Sequence, residues 1–340
     1  MSHPRTVNGD DPGTFRVLSI DGGGIRGTYA AAFLAGLEEM TTKRVVDHFD
    51  LIVGTSTGGI IALALGMGVP APEILRFYVE KGPRIFPLTD TTSRLKGMIR
   101  QISRAKHAPE ILRDALSEVL GSYVLGDSLT RLVIPAFDGS SGDVHLFKTA
   151  HSPRFKRDHS TPAVDVGLAT SAAPTFLPAF VGPHGTTLVD GGVWANCPAA
   201  VAVIEALTVL RQPMGSVDLL TVGTTDEPLH IPERRAMGGL LRWMRFAPTF
   251  LMQAQSQAAL AHAKLLTQGR LVRISQSVAP NRFSLDDPTG IPSLRALGTK
   301  AARHHEAQLA PRYLAQKAEP FIPFRGPRSP ESAGELQHRG

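Results

Sequence analysis

The sequence predicts an α/β protein with a mainly parallel sheet covered by helices on both faces, and three observations point there. The apolar run Phe15-Arg16-Val17-Leu18-Ser19-Ile20 ends in a glycine loop and leads into an apolar helical stretch through Met40. A second run, Phe49-Asp50-Leu51-Ile52-Val53, ends in Gly54-Thr55-Ser56-Thr57-Gly58 and leads into another helical stretch, Gly59 to Leu65. Further short apolar runs alternate with longer helical ones, the βαβα order that puts crossover helices on both faces of a parallel sheet.

Taken in order, residues 1–13 are a polar lead-in, expected to be disordered. The first strand and the loop Asp21 to Gly27 follow, then the first helix, the second strand and the elbow around Ser56. Strands are expected at Leu132 to Phe137, Val144 to Phe147, Thr187 to Val189 and Asp218 to Val222, with a helix from Pro198 to Leu210. From residue 319 the chain turns rich in Pro, Arg and Gly, with Pro320, Pro323, Pro327 and Pro330, which reads as a mobile tail 319–340. One folded domain over 14–318 is the expectation, and no internal repeat interrupts it.

Composition narrows the function classes. A chain of 340 residues with 42% hydrophobic content can bury a large core. No apolar run reaches the ~18 residues of a membrane span, and the polar N-terminus lacks the apolar stretch of a secretory signal, so cytoplasmic residence is expected. The single cysteine, Cys197, rules out an internal disulfide and a cysteine-rich zinc site. Lys and Arg number 36 against 30 Asp and Glu, a net charge of +6 that favours anionic surfaces or ligands. Zinc-finger spacing and aromatic ribonucleoprotein motifs are absent, so a nucleic acid polymer is not the expected partner.

The elbow carries the chemistry. Glycines two before and two after Ser56 permit a strand-to-helix reversal too tight for larger side chains, and that turn displays the serine hydroxyl at a helix N-terminus. Upstream, Gly22-Gly23-Gly24-Ile25-Arg26-Gly27 also fits a dinucleotide-binding loop, but such a site needs an acidic residue at the end of the second strand. Val53-Gly54-Thr55-Ser56 supplies none. The first loop therefore reads as an oxyanion hole whose amides face a tetrahedral oxygen formed over Ser56. A serine also needs a base. Histidines His230, His262, His304, His305 and His338 follow it without surrounding motifs, while Asp190 closes a short strand ahead of Gly191-Gly192, so both a histidine and a carboxylate remain candidates on these grounds.

Three blocks resemble the patatin-like phospholipase family: Asp21 to Gly27, Gly54-Thr55-Ser56-Thr57-Gly58-Gly59, and Asp190-Gly191-Gly192. Ala169-Thr170-Ser171-Ala172-Ala173-Pro174-Thr175-Phe176 is similar to the segment that precedes the family's aspartate. The resemblance runs from residue 15 to about 225 and implies a three-layer α/β/α sandwich and lipid acyl hydrolysis by a Ser-Asp dyad without histidine, metal or cofactor. On that resemblance Ser56 is the nucleophile and Asp190 the base. Gly22, Gly23, Gly24 and Arg26 form the oxyanion-hole region, and Gly27, Gly54, Gly58, Gly191 and Gly192 complete the motifs. One departure is Asn196-Cys197-Pro198, where family members commonly carry two asparagines before the proline.

Two segments suit a membrane surface. Lys96, Arg100 and Arg104 recur on one side of a possible helix with Leu95, Met98, Ile99 and Ile102 opposite. Met237 through Met252 gathers Leu240, Leu241, Trp243, Met244, Phe246 and Phe250 beside Arg242 and Arg245, as a lipid contact or lid would. Residues Phe15 to Phe86 look closest to bacterial patatin-like effectors of anti-phage systems. That resemblance implies a cyclic di- or trinucleotide activator and phospholipid degradation at the inner face of the cell membrane. A constitutive bacterial lipase or esterase, a histidine-dependent esterase and a non-hydrolytic nucleotide-binding module are the alternatives, and the oligomeric state is left open, a homodimer included.

Overall fold

Strand β1 (Phe15–Ile20) is buried at all six positions, as a strand in the middle of a sheet covered on both faces must be. The computed structural model describes residues 13–87, 106–183, 185–227, 247–280 and 282–325, with 238, 239 and 243. After β1 come α1 (Gly27–Thr41), β2 (Leu51–Gly54), α2 (Thr57–Gly66), α3 (Ala71–Ile85), α4 (Pro109–Leu120), β3 (Arg131–Asp138), β4 (Asp143–Lys148) and α5 (Ala163–Thr170). They are followed by β5 (Phe180–Val181), β6 (Thr187–Asp190), α6 (Gly192–Ala195), α7 (Ala199–Ile204), β7 (Val217–Asp226), α8 (Ala247–Leu266), β8 (Leu271–Ser277) and α9 (Ile291–Tyr313).

Parallel pairings join β3, β2, β1, β7 and β8, while β4, β5 and β6 are antiparallel additions. Alternation of side chains splits each central strand between two cores. Leu18, Ile20, Ile52, Ile134 and Val222 pack with α1, α2, α3 and α9 on one face. Phe15, Val17, Val53, Val133 and Leu219 pack with α7 and α8 on the other. The result is the mainly parallel α/β/α sandwich that the sequence predicts.

The register explains where the chemistry sits. Strand β2 lies along β3 as far as Val53 opposite Val133, and β6 pairs antiparallel with β3 at Asp190 opposite Ala136. Since β4 occupies the other flank of β3 from Val133, where β2 still pairs, through Asp138, β2 and β6 share one flank and run toward each other. Their ends, Gly54 and Asp190, meet head to head.

Several elements differ from expectation. The helix expected from Pro198 to Leu210 is α-helical only to Ile204 and widens into a π turn at Glu205–Val209, whose Glu205 carboxylate binds Lys148 and His151. The Pro-rich segment from 319 stays attached at first: Phe321 is buried, and Phe324 N–H donates to Ala150 O. Arg16, in the middle of the apolar β1 pattern, accounts for part of this attachment, because its guanidinium donates to the carbonyls of Gln316 and Lys317. The basic stretch 95–104 lies outside the described residues, as do 1–12, 326–340 and much of 237–246.

Candidate active site

The elbow is made by steric necessity. A Cβ on Gly54 would sit 2.9 Å from Gly59 N, and one on Gly58 would sit 2.7 Å from Asp21 O, so only glycine fits where the turn presses on its own helix and on the neighbouring loop. Ser56 itself has φ 54° and ψ −122°, a conformation that costs of order 1–3 kcal/mol and persists only when its surroundings enforce it. It caps α2, a helix buried at all ten positions.

Ser56 Oγ donates to Asp190 Oδ2 at 2.7 Å. The other carboxylate oxygen accepts Gly192 N–H at 2.6 Å, so the carboxyl group is held at both ends. Burial pushes the Asp190 pKa up to about 6, against the opposing pull of its hydrogen bonds from Ser56 and Gly192. That value suits proton transfer near neutral pH far better than the ordinary carboxylate range. Asp190-Gly191, readable as a hairpin turn, instead opens α6: Gly191 N–H donates to Thr170 O, and Ala195 N–H donates to Gly191 O. Among the described residues no histidine contacts Ser56 Oγ, and His262, His304 and His305 all lie on α8 or α9.

The glycine loop abuts the elbow, since a Cβ on Gly22 would lie 3.4 Å from Ser56 Cβ. Gly22 N–H is already given to Asn196 O at 2.8 Å, whereas Gly23 and Gly24 N–H have no acceptor among the described residues. Gly24 adopts φ +56°, and its neighbour Ile25 donates to Leu285 O at 2.8 Å. Arg26 is largely buried and its Nε has no hydrogen-bond partner among the described residues; burial lowers its pKa. Gly27 begins α1.

Sequence reasoning did not assign a role to the residues that brace this loop. Asp21 Oδ2 accepts from Arg273 Nη2 at 2.7 Å, a buried ion pair linking the loop to β8. Cys197 lies beside it, 4.0 Å from Arg273 Nη1, and burial pushes its thiol up. Thr55 Oγ1 donates to Ala195 O at 2.7 Å, and Tyr78 OH lies 2.6 Å from Thr57 Oγ1. Asp286, next to Leu285, binds Lys106 and His107, whose amides donate to Thr175 O and Phe176 O. Only the polar residue types signalled these in sequence, because each partner is more than twenty residues away.

The model of the patatin-like phospholipase family matches residues 18–203, more than half of the chain, and the chain belongs to that family. A cGAMP-activated phospholipase of Pseudomonas aeruginosa is 39% identical over 212 residues, 62% of either chain. One of Escherichia coli is 34% identical over 234 residues, 65% of each. Another, of Vibrio cholerae, is 29% identical over 316 residues, 85% of this chain and 88% of its own. The chain thus spans less than two thirds of the length of the first two relatives.

Proposed function

We propose that this protein hydrolyses acyl esters of membrane phospholipids, with Ser56 as nucleophile and Asp190 as its base. The observation that carries the reading is the 2.7 Å hydrogen bond from Ser56 Oγ to a buried carboxylate. Ser56 Oγ attacks the ester carbonyl as its proton passes to Asp190, and Gly23 and Gly24 N–H stabilise the oxyanion. Asp190 then returns the proton to the departing glycerol oxygen. In the second half, Asp190 takes a proton from water, hydroxide oxygen adds to the acyl carbon, and collapse releases the fatty acid and restores the serine hydroxyl.

The relatives' names support a second element, activation by a cyclic nucleotide of the cGAMP kind, and the net charge of +6 is compatible with an anionic activator. The expected anti-phage role belongs with that activation, the nucleotide acting as the signal for membrane damage. Membrane contact through Trp243 and its neighbours completes the reading. No described helix is long and apolar enough to cross a membrane, and contact at an interface needs none.

Product analysis of bacterial lipid extract tests both elements. Wild-type protein is expected to release free fatty acid, faster with cGAMP, while Ser56→Ala releases none under either condition. Equal rates across a panel of cyclic di- and trinucleotides favour the constitutive lipase instead. Fatty acid release by Ser56→Ala removes the nucleophile assignment.

A further inference from the structure

We infer that Thr170 is a positioning residue for the nucleophile, its hydroxyl tying the strained elbow to the carbonyl of Pro135; this rests on the reading of Ser56 and Asp190 as the reacting pair. Because β2 and β6 meet head to head along β3, a gap opens on that flank between Val133 and Ala136. Thr170, the last residue of α5, fills it. Its Oγ1 donates to Pro135 O at 2.6 Å and accepts Ser56 N–H at 3.0 Å.

Both directions are fixed by chemistry: a carbonyl only accepts, an amide N–H only donates, and the hydroxyl has one proton for the first and a lone pair for the second. A threonine in a helix commonly turns its hydroxyl back to the carbonyl four residues earlier. Thr170 reaches across to strand β3 instead. It is fully buried, so no water stands ready to replace it. The same residue's carbonyl accepts Gly191 N–H, so one side chain and one main-chain group hold the amide of the nucleophile and the turn after the base.

Holding the amide of Ser56 matters because its φ of 54° has no intrinsic preference to persist. Released, the elbow relaxes and Oγ moves off the line to Asp190 and to the ester carbon. A shift near 1 Å costs about 100-fold in rate.

The test compares Thr170→Val, which keeps the shape and loses the hydroxyl, with Thr170→Ser, which keeps the hydroxyl. Thr170→Ala serves as a second hydroxyl deletion should the valine variant misfold, and Ser56→Ala is run in parallel. The readouts are kcat and KM on a soluble chromogenic ester and the rate of covalent labelling by a fluorophosphonate. Loss of the hydroxyl is expected to lower kcat and the labelling rate about 10- to 100-fold with KM changed less than about two-fold. Thr170→Ser is expected to stay within about three-fold of wild type on the same scale. A folded hydroxyl-deletion variant with wild-type kcat, or a Thr170→Ser variant as slow as Thr170→Val, overturns the inference. Activity in Ser56→Ala overturns the underlying dyad, a separate outcome.

Discussion

At the residue scale, the proposed reaction takes its pH dependence from Asp190. Its carboxyl must be ionised to take the serine proton, so kcat/KM is expected to rise about ten-fold per pH unit below a midpoint near 6 and to level off above it. A profile flat from pH 5 to 8 speaks against the assignment. The same shift has a cost in stability, and its sign follows from linkage. A native pKa raised above the unfolded value means the folded state prefers the proton. Stability from this group is therefore complete below the ordinary carboxylate pKa and is lost as pH climbs through about 6, by roughly 3 kcal/mol for a shift of that size. Asp190→Asn removes the titration while keeping the shape. Its melting temperature relative to wild type is expected to increase between pH 4 and pH 8; a difference independent of pH contradicts the burial argument.

Elements explain why some of this was legible in the sequence. The two glycine loops declared themselves because their spacing is imposed by close backbone approach: Gly54, Gly58 and Gly24 each face main-chain atoms that leave no room for a Cβ. Gly54→Ala sets its methyl against main chain that cannot rotate away, and is expected to cost about 3 kcal/mol or more, read as a lowered urea midpoint or loss of soluble protein. Asp190 was ambiguous on composition alone, since Asp-Gly also makes hairpins, and only the full motif set singled it out. What stayed hidden are bonds between distant segments. Leu285 and Asp286 lie in an ordinary loop by sequence, yet Leu285 O holds Ile25 N–H beside the glycine loop, and Asp286 is tied to Lys106 and His107. Burial works to raise the Asp286 pKa, but the hydrogen bonds from His107 and Lys106 prevail and hold it well below the usual carboxylate range. The stability it contributes is thus present above the ordinary carboxylate pKa and lost only as pH falls below it. Asp286→Asn is expected to lower kcat several-fold by loosening the loop while leaving Ser56 in place; unchanged kcat detaches this latch from catalysis.

On the scale of the molecule, composition misdirected one boundary. Proline content after residue 319 suggested free chain, but the segment leaving α9 runs along the N-terminal edge of the sheet. Lys43 Nζ donates to Leu314 O at 2.8 Å, and Ala318 N–H donates to Asp47 O at 2.8 Å. Beyond 318, Phe321 lies under Arg131, whose guanidinium is 5.3 Å from the ring centroid. Proline forbids helix and ladder, not attachment. Phe321→Ala is expected to destabilise the fold by about 3 kcal/mol, seen as a lower melting temperature; a neutral effect makes the strap incidental. Far from Ser56, beyond the other end of α2, a cavity of about 530 Å³ is lined by Arg44, Arg76 and Lys81 but also by Glu73, Glu80 and Glu118. That balance of charge gives an anionic ligand little to favour it there.

The dyad itself is tested most directly by mapping where a fluorophosphonate attaches. Intact-mass and peptide analysis of the wild-type protein should find one adduct, on Ser56, forming faster as pH rises through about 6 and much more slowly in Asp190→Asn. An adduct on another residue, or labelling of Ser56 at full speed without the Asp190 carboxylate, contradicts the account.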